Sequence, residues 1–549
     1  MKRLHLLPFV HSFSSGLFVI IIITKMQWVS FGNLLVIDYR KQGDKPMGQN
    51  ITLKNSPLQV IRTVNDKMMS YNVEFTEVTG GTFWKAYTPE QIAGTEKFSV
   101  GGAGDFAAAY ANLMQVYPPI DLYNEKLRKL AKEFGPVWVR VSGTWATKTF
   151  YDWDGTGVIP EGYQNILTKE QWLGVLDFVK AIDAKLLISI ANCDGNHKHD
   201  EPLDMTLIKK LYEITYEYGS TIDATEFVNE PNMLDITGFP VGYTAEDYSR
   251  DQDAYFGWVK ENYPDTLCVG PCNTEGTMGD SEKQKDMPVG GVEAFSGNMA
   301  SCDQLMEGTK VPMDVYSYHY YNGISERLEM VMPQMHWDPD KVLTEGYLKV
   351  APACCEYNMP LRDKYVPNGE MWVTESGDAG GGGNTWASTY VDVFRTLNEL
   401  GTFATLTDGV IFHNTLASSD YGFLKHGTFE TRPNYYAVLL WNRIMGTTVY
   451  NTEEEIREGA HVFAHSRRDG KDGVAYCIIN NSETETTTVE LPASAEVYKL
   501  SADTLRATVM KLNGRELVLG ANNELPDLSP EVMEGTLTLE PATIAFVVM

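Results

Sequence analysis

Eight short apolar, β-rich runs separated by helical patterns constrain this chain more than any other feature of its sequence. The runs are 71–79, 136–141, 185–191, 224–229, 267–271, 314–319, 371–375 and 409–414. Helical spacing fills the segments between them: in 171–182, Trp172, Val175, Phe178, Val179 and Ile182 fall on one face. Segments 121–134 and 203–218 read the same way. Strands that are apolar throughout are buried on both faces, as in a parallel sheet covered by helices. Eight strand–helix units in succession predict an α/β fold, a closed (β/α)8 TIM barrel over 71–445.

The texture changes beyond that point. Runs 461–465, 473–480, 486–491, 495–500, 516–519 and 536–548 are strand-like and joined by Gly, Asn, Asp and Pro turns. They predict a C-terminal all-β sandwich domain over 446–549, which strands within 50–70 would join. A chain of 549 residues is too long for one ordinary core, so a large domain with a smaller one is expected. At the other end, Lys2 and Arg3 precede an apolar run over 17–23, closed by Lys25. Residues 1–30 therefore read as a signal or anchor segment. The run is too short to span a bilayer comfortably, and no small-x-small cleavage site follows. Export is the expectation, as a secreted, periplasmic or surface-anchored protein; a mis-called start codon would leave the chain cytoplasmic. No other stretch has the character of a membrane span.

The formal charge of -28 argues against nucleic acid and anionic membrane surfaces as partners. It also weighs against a long polyanion held along a basic face. The seven cysteines are scattered and form no paired CxxC clusters of the kind that bind zinc, so buried free thiols are expected. His197 and His199 sit in an Asn-His-Lys-His-Asp stretch without an evident third ligand, and a solvated loop is the simpler reading. No metal and no organic cofactor is expected. Gly101-Gly102-Ala103-Gly104 does not open a nucleotide-binding βαβ unit.

Two carboxylates carry the chemistry. Asn229-Glu230-Pro231-Asn232 closes the fourth run, and Glu375, in Trp372-Val373-Thr374-Glu375-Ser376-Gly377, closes the seventh. Barrel active sites gather at the C-terminal ends of the strands, so both side chains should enter one pocket. Glycoside cleavage needs one carboxyl protonated to assist the leaving oxygen and one ionised to attack the anomeric carbon. A lone glutamate at a strand end is usually a solvated or salt-bridged residue. Two of them, on the fourth and seventh of eight strands, favour Glu230 as acid/base and Glu375 as nucleophile. Asn192 and Asn273, on loops after the third and fifth runs, are weaker candidates for touching substrate.

This pairing resembles the large clan of retaining barrel glycosidases, and in particular glycoside hydrolase family 79, the heparanase and β-glucuronidase family. Further stretches carry the resemblance: Leu127-Arg128-Lys129-Leu130 through Trp138-Val139-Arg140-Val141-Ser142-Gly143-Thr144, then Asp314-Val315-Tyr316-Ser317-Tyr318-His319-Tyr320-Tyr321-Asn322-Gly323, then Pro433-Asn434-Tyr435-Tyr436 through Met445-Gly446-Thr447-Thr448-Val449. The resemblance implies that Asn229 hydrogen-bonds the sugar 2-OH and that Tyr320 orients Glu375, with His319 beside it lining the pocket. Alternation along a strand turns only one of those two inward. Thr144 matches a substrate-facing position. Sugar-acid specificity would come from the loop Gly380-Gly381-Gly382-Gly383, chiefly Gly381 and Gly382, together with Tyr421. Consecutive glycines let backbone N–H groups approach a carboxylate closely.

The chain also departs from the family pattern. Gly380 stands where heparanase carries a tyrosine, and Glu77-Val78-Thr79-Gly80-Gly81 lacks an aspartate that heparanase uses on its first strand. No excised linker segment is evident. These features favour a retaining exo-β-glucuronidase acting on a glucuronic-acid-containing glycan or glycoside. A neutral-sugar β-glycosidase of the same clan, a heparanase-like endo-β-glucuronidase and a non-catalytic carbohydrate-binding protein remain as alternatives.

Overall fold

The computed structural model describes residues 48–55, 58–100, 111–276, 279 and 298–549. The expected segment over 1–30 and the Gly101–Gly104 stretch lie outside them. Eight parallel strands close into a barrel in chain order: Met69–Glu74, Trp138–Ser142, Lys185–Ile188, Ala224–Glu226, Leu267–Asn273, Val315–Tyr321, Met371–Gly377 and Ile411–His413. The last pairs with the first, Ile411 opposite Met69. A helix follows each strand, from Glu125–Glu133 after the first to Pro433–Ile444 after the eighth. The (β/α)8 architecture is thus the one the eight runs predict.

Local chemistry explains the helices. In Lys169–Ala181, Thr168 caps the start, its hydroxyl accepting from the Gln171 N–H while the Gln171 side chain answers the Thr168 N–H. Trp172, Val175, Leu176, Phe178 and Val179 then bury one stripe against the barrel. Outward-facing strand residues meet such stripes in one continuous core. Inward-facing residues at the N-terminal end form a separate apolar plug of Trp138, Leu187, Ala224, Val269, Val315, Trp372, Val410 and Phe412. Above that plug the interior turns polar, which is where the site lies.

The first run is only partly a strand. Met69–Glu74 is extended, but Phe75–Thr79 turns into a short helix, capped by a reciprocal pair between Glu74 and Glu77. The strand therefore ends at Glu74, five residues earlier than apolar patterning suggests.

Beyond the barrel the chain forms a ten-stranded sheet with its own apolar core of Ile51, Val462, Tyr476, Ile478, Val489, Leu537 and Val547, among others. Asn50–Thr52 runs parallel to Thr487–Ser501, and Val60–Thr63 pairs antiparallel with Met445–Tyr450. The runs at 486–491 and 495–500 are one bulged strand, and 536–548 is two strands, Glu531–Leu539 and Thr543–Val548. Alternation divides the labour: Val462 and Ala464 face the sandwich core, while Phe463 faces the barrel helices. Phe463 packs so closely on Gly401 that any Cβ there would lie 2.3 Å from its ring. All seven cysteines are buried and free. Among the described residues no helix is long and apolar enough to cross a membrane.

Candidate active site

Alternation from the plug upward builds the site. On the second strand Trp138, Arg140 and Ser142 share the inward face, and on the fourth Ala224 and Glu226 do so. Arg140 is buried at the centre. Its Nε and Nη2 donate to the two oxygens of Glu226 at 2.9 and 2.7 Å, Nη2 also to Asn229 Oδ1 at 2.8 Å, and Nη1 to Glu375 Oε1 at 3.1 Å. Burial opposes its charge, but Glu226 and Glu375 outweigh that and keep the guanidinium protonated.

Glu375 reaches the interior through an irregularity. Strict alternation from Trp372 would turn Thr374 inward and Glu375 outward. The register of the seventh strand shifts against both neighbours between Val373 and Ser376, and this bulge re-aims Glu375 into the barrel. There Tyr321 donates its O–H to Glu375 Oε2 at 2.7 Å, and His319 Nδ1 lies 3.7 Å from the same oxygen. Burial works to raise this carboxyl, but His319, Arg140 and the Tyr321 hydrogen bond together hold it below the usual carboxylate range.

Glu230 sits four residues past its strand on a positive φ of 47°, with His319 Nδ1 3.0 Å from its Oε1. Donor atoms of Glu230, His319 and Glu375 all lie within 4.8 Å of one another. Such a trio has the geometry of a cation site, yet Arg140 already supplies a positive charge in contact with Glu375, which disfavours a metal ion there.

Tyr320, the residue expected to orient Glu375, does not do so. His319 and Tyr321 share the inward face of the sixth strand, and Tyr320 points outward, where its hydroxyl meets Asn322 and its surroundings include Glu399, Arg395 and Tyr347. The contact to Glu375 belongs to Tyr321. His319 does enter the pocket, between the two glutamates. Asn229 is brought in by Arg140. Thr144 opens a short helix at the end of the second strand and is half-buried on the same face of the barrel.

Two residues that sequence patterning passed over complete the floor. Glu74, at the true end of the first strand, is buried beside Glu375; burial and the charge of Glu375 push its carboxyl well above the usual range. Gly143 makes room for it, since an added Cβ would lie 2.0 Å from Glu74 Oε2. Asn414, on the eighth strand's loop, has its Nδ2 3.2 Å from Glu74 Oε1, 2.8 Å from the Tyr321 hydroxyl and 3.2 Å from the Tyr421 hydroxyl. Tyr421 is buried and stacks with Tyr321 at 6.5 Å between ring centroids. The glycine loop passes this pair: Gly380 packs beside the Tyr321 ring, and Gly381, Gly382 and Gly383 take φ values of 89°, 87° and 82° that favour glycine.

Asn192 and His197 pair with each other at 2.7 Å, and Asn192 also donates to Tyr243, while Asn273 donates to Tyr316. All three are engaged in structural hydrogen bonds. His197 is also buried, and the solvated-loop reading fits only the more exposed His199.

A closed (β/α)8 barrel with two apposed carboxylates at the mouths of its fourth and seventh strands defines the class: this protein is a glycoside hydrolase. No protein-family profile matches the chain. It is 24% identical over 471 residues to baicalin-β-D-glucuronidase of Scutellaria baicalensis, covering 78% of this chain and 82% of that protein. It is 25% identical over 491 residues to heparanase-like protein 1 of Arabidopsis thaliana, covering 78% and 85%. Among solved structures, a 4-O-α-L-rhamnosyl-β-D-glucuronidase from Fusarium oxysporum superposes with a TM-score of 0.57 at 12% identity, covering 91% of this chain and 100% of that one. That likeness is one of fold. The resemblance to the heparanase and β-glucuronidase family thus extends along most of the chain.

Proposed function

We propose that the protein removes a terminal β-linked glucuronic acid with net retention, Glu230 acting as acid/base and Glu375 as nucleophile. The observation that carries this reading is that one oxygen of Glu230 lies within 4.8 Å of one of Glu375, an apposition that suits the short carboxyl separation of retaining enzymes, roughly 5–5.5 Å, better than the wider gap of inverting ones. Glu230 gives its proton to the glycosidic oxygen as the C1–O bond breaks, and the Glu375 carboxylate bonds to C1. Water then attacks C1, its proton passes to Glu230, and the Glu375 ester is released. Arg140 and Tyr321 supply the donors that keep Glu375 ionised until it attacks. Asn229, whose Oδ1 accepts from Arg140, would hydrogen-bond the sugar 2-OH through its amide N–H, with Thr144 at the rim.

The sugar carboxylate would be met by the Gly381 and Gly382 N–H groups and by Tyr421. With Asn414 as donor to it, the Tyr421 hydroxyl still has its own hydrogen to give. The glucuronidase and heparanase-like names of the relatives support the same substrate class. Delivery out of the cytoplasm is supported by Lys2 and Arg3 ahead of the apolar run over 17–23.

The test is release of chromophore from an aryl β-glucuronide beside the matching β-glucoside and β-galactoside, with the anomer of the first-formed sugar read by NMR. Strong preference for the glucuronide and a β product are expected. Equal turnover of the three would move the reading to a neutral-sugar glycosidase. An α product would overturn retention.

A further inference from the structure

A buried arginine that the mechanism does not use lies behind the glycine loop. Arg327 is 1% exposed at its side chain, and its Nη1 donates to the carbonyls of Gly381 at 3.2 Å and Gly383 at 2.8 Å. Its Nη2 donates to the Lys85 carbonyl at 2.7 Å and to Asp420 Oδ2 at 2.6 Å. One guanidinium therefore ties together three loops: the one after the first barrel strand, the glycine loop, and the loop bearing Tyr421. The Tyr87 ring lies 3.7 Å beneath it, and the Tyr87 hydroxyl also donates to the Gly383 carbonyl, at 3.2 Å.

Peptide geometry turns this clamp into an aiming device. Ser325 N–H takes the Gly380 carbonyl, and Ser325 Oγ and Arg327 take that of Gly381. In a trans peptide the N–H points opposite to the preceding carbonyl. The N–H groups of Gly381 and Gly382 are thereby directed to the face of the loop away from Ser325 and Arg327. On the neighbouring loop, Asp420 N–H donates to the Gly382 carbonyl, and His413 Nε2 lies 2.8 Å from the Tyr421 carbonyl. Asp420 is one residue from Tyr421, so the same clamp fixes the hydroxyl relative to the two N–H groups.

The geometry points to Arg327, with Asp420 as its anchor, as the positioning residue of a sugar-carboxylate subsite formed by Gly381, Gly382 and Tyr421. This rests on the sugar-acid reading above. The planar fork of arginine is what the site uses, since a lysine carries the charge but cannot reach four acceptors in fixed directions.

The test compares wild type, Arg327→Lys and Asp420→Asn on aryl β-glucuronide and aryl β-glucoside, with competitive inhibition by D-glucuronate and by D-glucose measured alongside. Thermal midpoints report folding. The expected result is a loss of glucuronide preference, mainly through KM, on the order of tenfold to a hundredfold, the worth of misaligned charge-assisted hydrogen bonds. Glucoside turnover and glucose inhibition should fall far less. If one variant does not fold, the other decides. Equal losses on both sugars, or a preference that survives, would overturn the positioning role while leaving the sugar-acid reading intact. A wild-type enzyme without preference for the glucuronide would overturn both.

Discussion

Two buried arginines flank the seventh barrel strand, each holding two carboxylates. Inside the barrel, Arg140 grips Glu226 with two nitrogens and Glu375 with one. Outside it, Arg395 grips Asp392 with two nitrogens and Glu399 with one, and Ser376 Oγ donates to Glu399 from the strand's outward face. The pairing is alike, yet the outcome differs. Glu399 is raised, burial outweighing Arg395 and Ser376, with Asp392 adding to the rise. Glu375 is lowered, because His319, Arg140 and Tyr321 outweigh the same burial. An arginine alone does not decide the charge of a buried acid; the count and direction of the other donors do.

The largest test of that contrast is to remove one acid from each side. Glu375→Gln should cost turnover on the order of 10⁴-fold or more, with circular dichroism reporting an intact fold. Glu399→Gln should leave turnover within a few-fold. Substantial turnover in Glu375→Gln would end the nucleophile assignment.

Replacing the arginines sharpens the comparison. Arg140→Met and Arg395→Met each strand buried carboxylates, and each should destabilise the fold by about 3–5 kcal/mol, read from denaturant unfolding. Only Arg140→Met should move the acid limb of the pH–rate profile, and it should move upward. Glu375 must be ionised to attack, and losing Arg140 raises the pH at which it ionises. An acid limb that stays put in Arg140→Met would mean another group sets it.

The neighbouring tyrosines give a smaller effect. Tyr321→Phe removes a donor from Glu375 and should lower kcat roughly 10–100-fold, the value of a hydrogen bond to a charged group. Tyr320→Phe should leave kcat alone. The reverse pattern would restore the role expected of Tyr320 from sequence.

The smallest effect concerns stability. Burial pushes the Glu77 carboxyl up to about 8, with the Glu74 N–H pulling the other way. The folded state keeps a proton that the unfolded chain gives up above about pH 4.3. Stability from this group is therefore full below that value and is lost as pH rises through 8. Glu77→Gln should flatten the decline of the thermal midpoint between pH 5 and 8.5. An unchanged slope would assign the decline elsewhere.

Much of this was legible in the chain itself. Eight apolar runs predict eight barrel strands because strands buried on both faces must be apolar along their length. Glu230 and Glu375 were found because they end two of those runs. What patterning missed has local causes. Tyr320 and Tyr321 are chemically identical candidates, and only the phase of the sixth strand separates them. Counting outward from His319, itself a polar residue in an apolar run, would have selected Tyr321. Glu74 was hidden because Phe75 and Val78 extend the apolar pattern beyond the true strand end. Arg140 stood in a quoted motif, yet its role depends on Glu226, 86 residues away, which no local pattern connects to it. The bulge that re-aims Glu375 left no mark in residue type.

The placement of the ten-stranded sheet bears on synthesis. Val60–Thr63 and Asn50–Thr52 find their partners only in Met445–Tyr450 and Thr487–Ser501, roughly 400 residues later, or some 20–80 s at ordinary elongation rates. Thr543–Val548, a central strand of that sheet, is made later still. The barrel sequence is thus inserted between two short strands and the other eight strands of one sheet, which cannot join until the barrel has been made. A nascent chain carries those two strands unpaired for as long as the whole barrel takes to make.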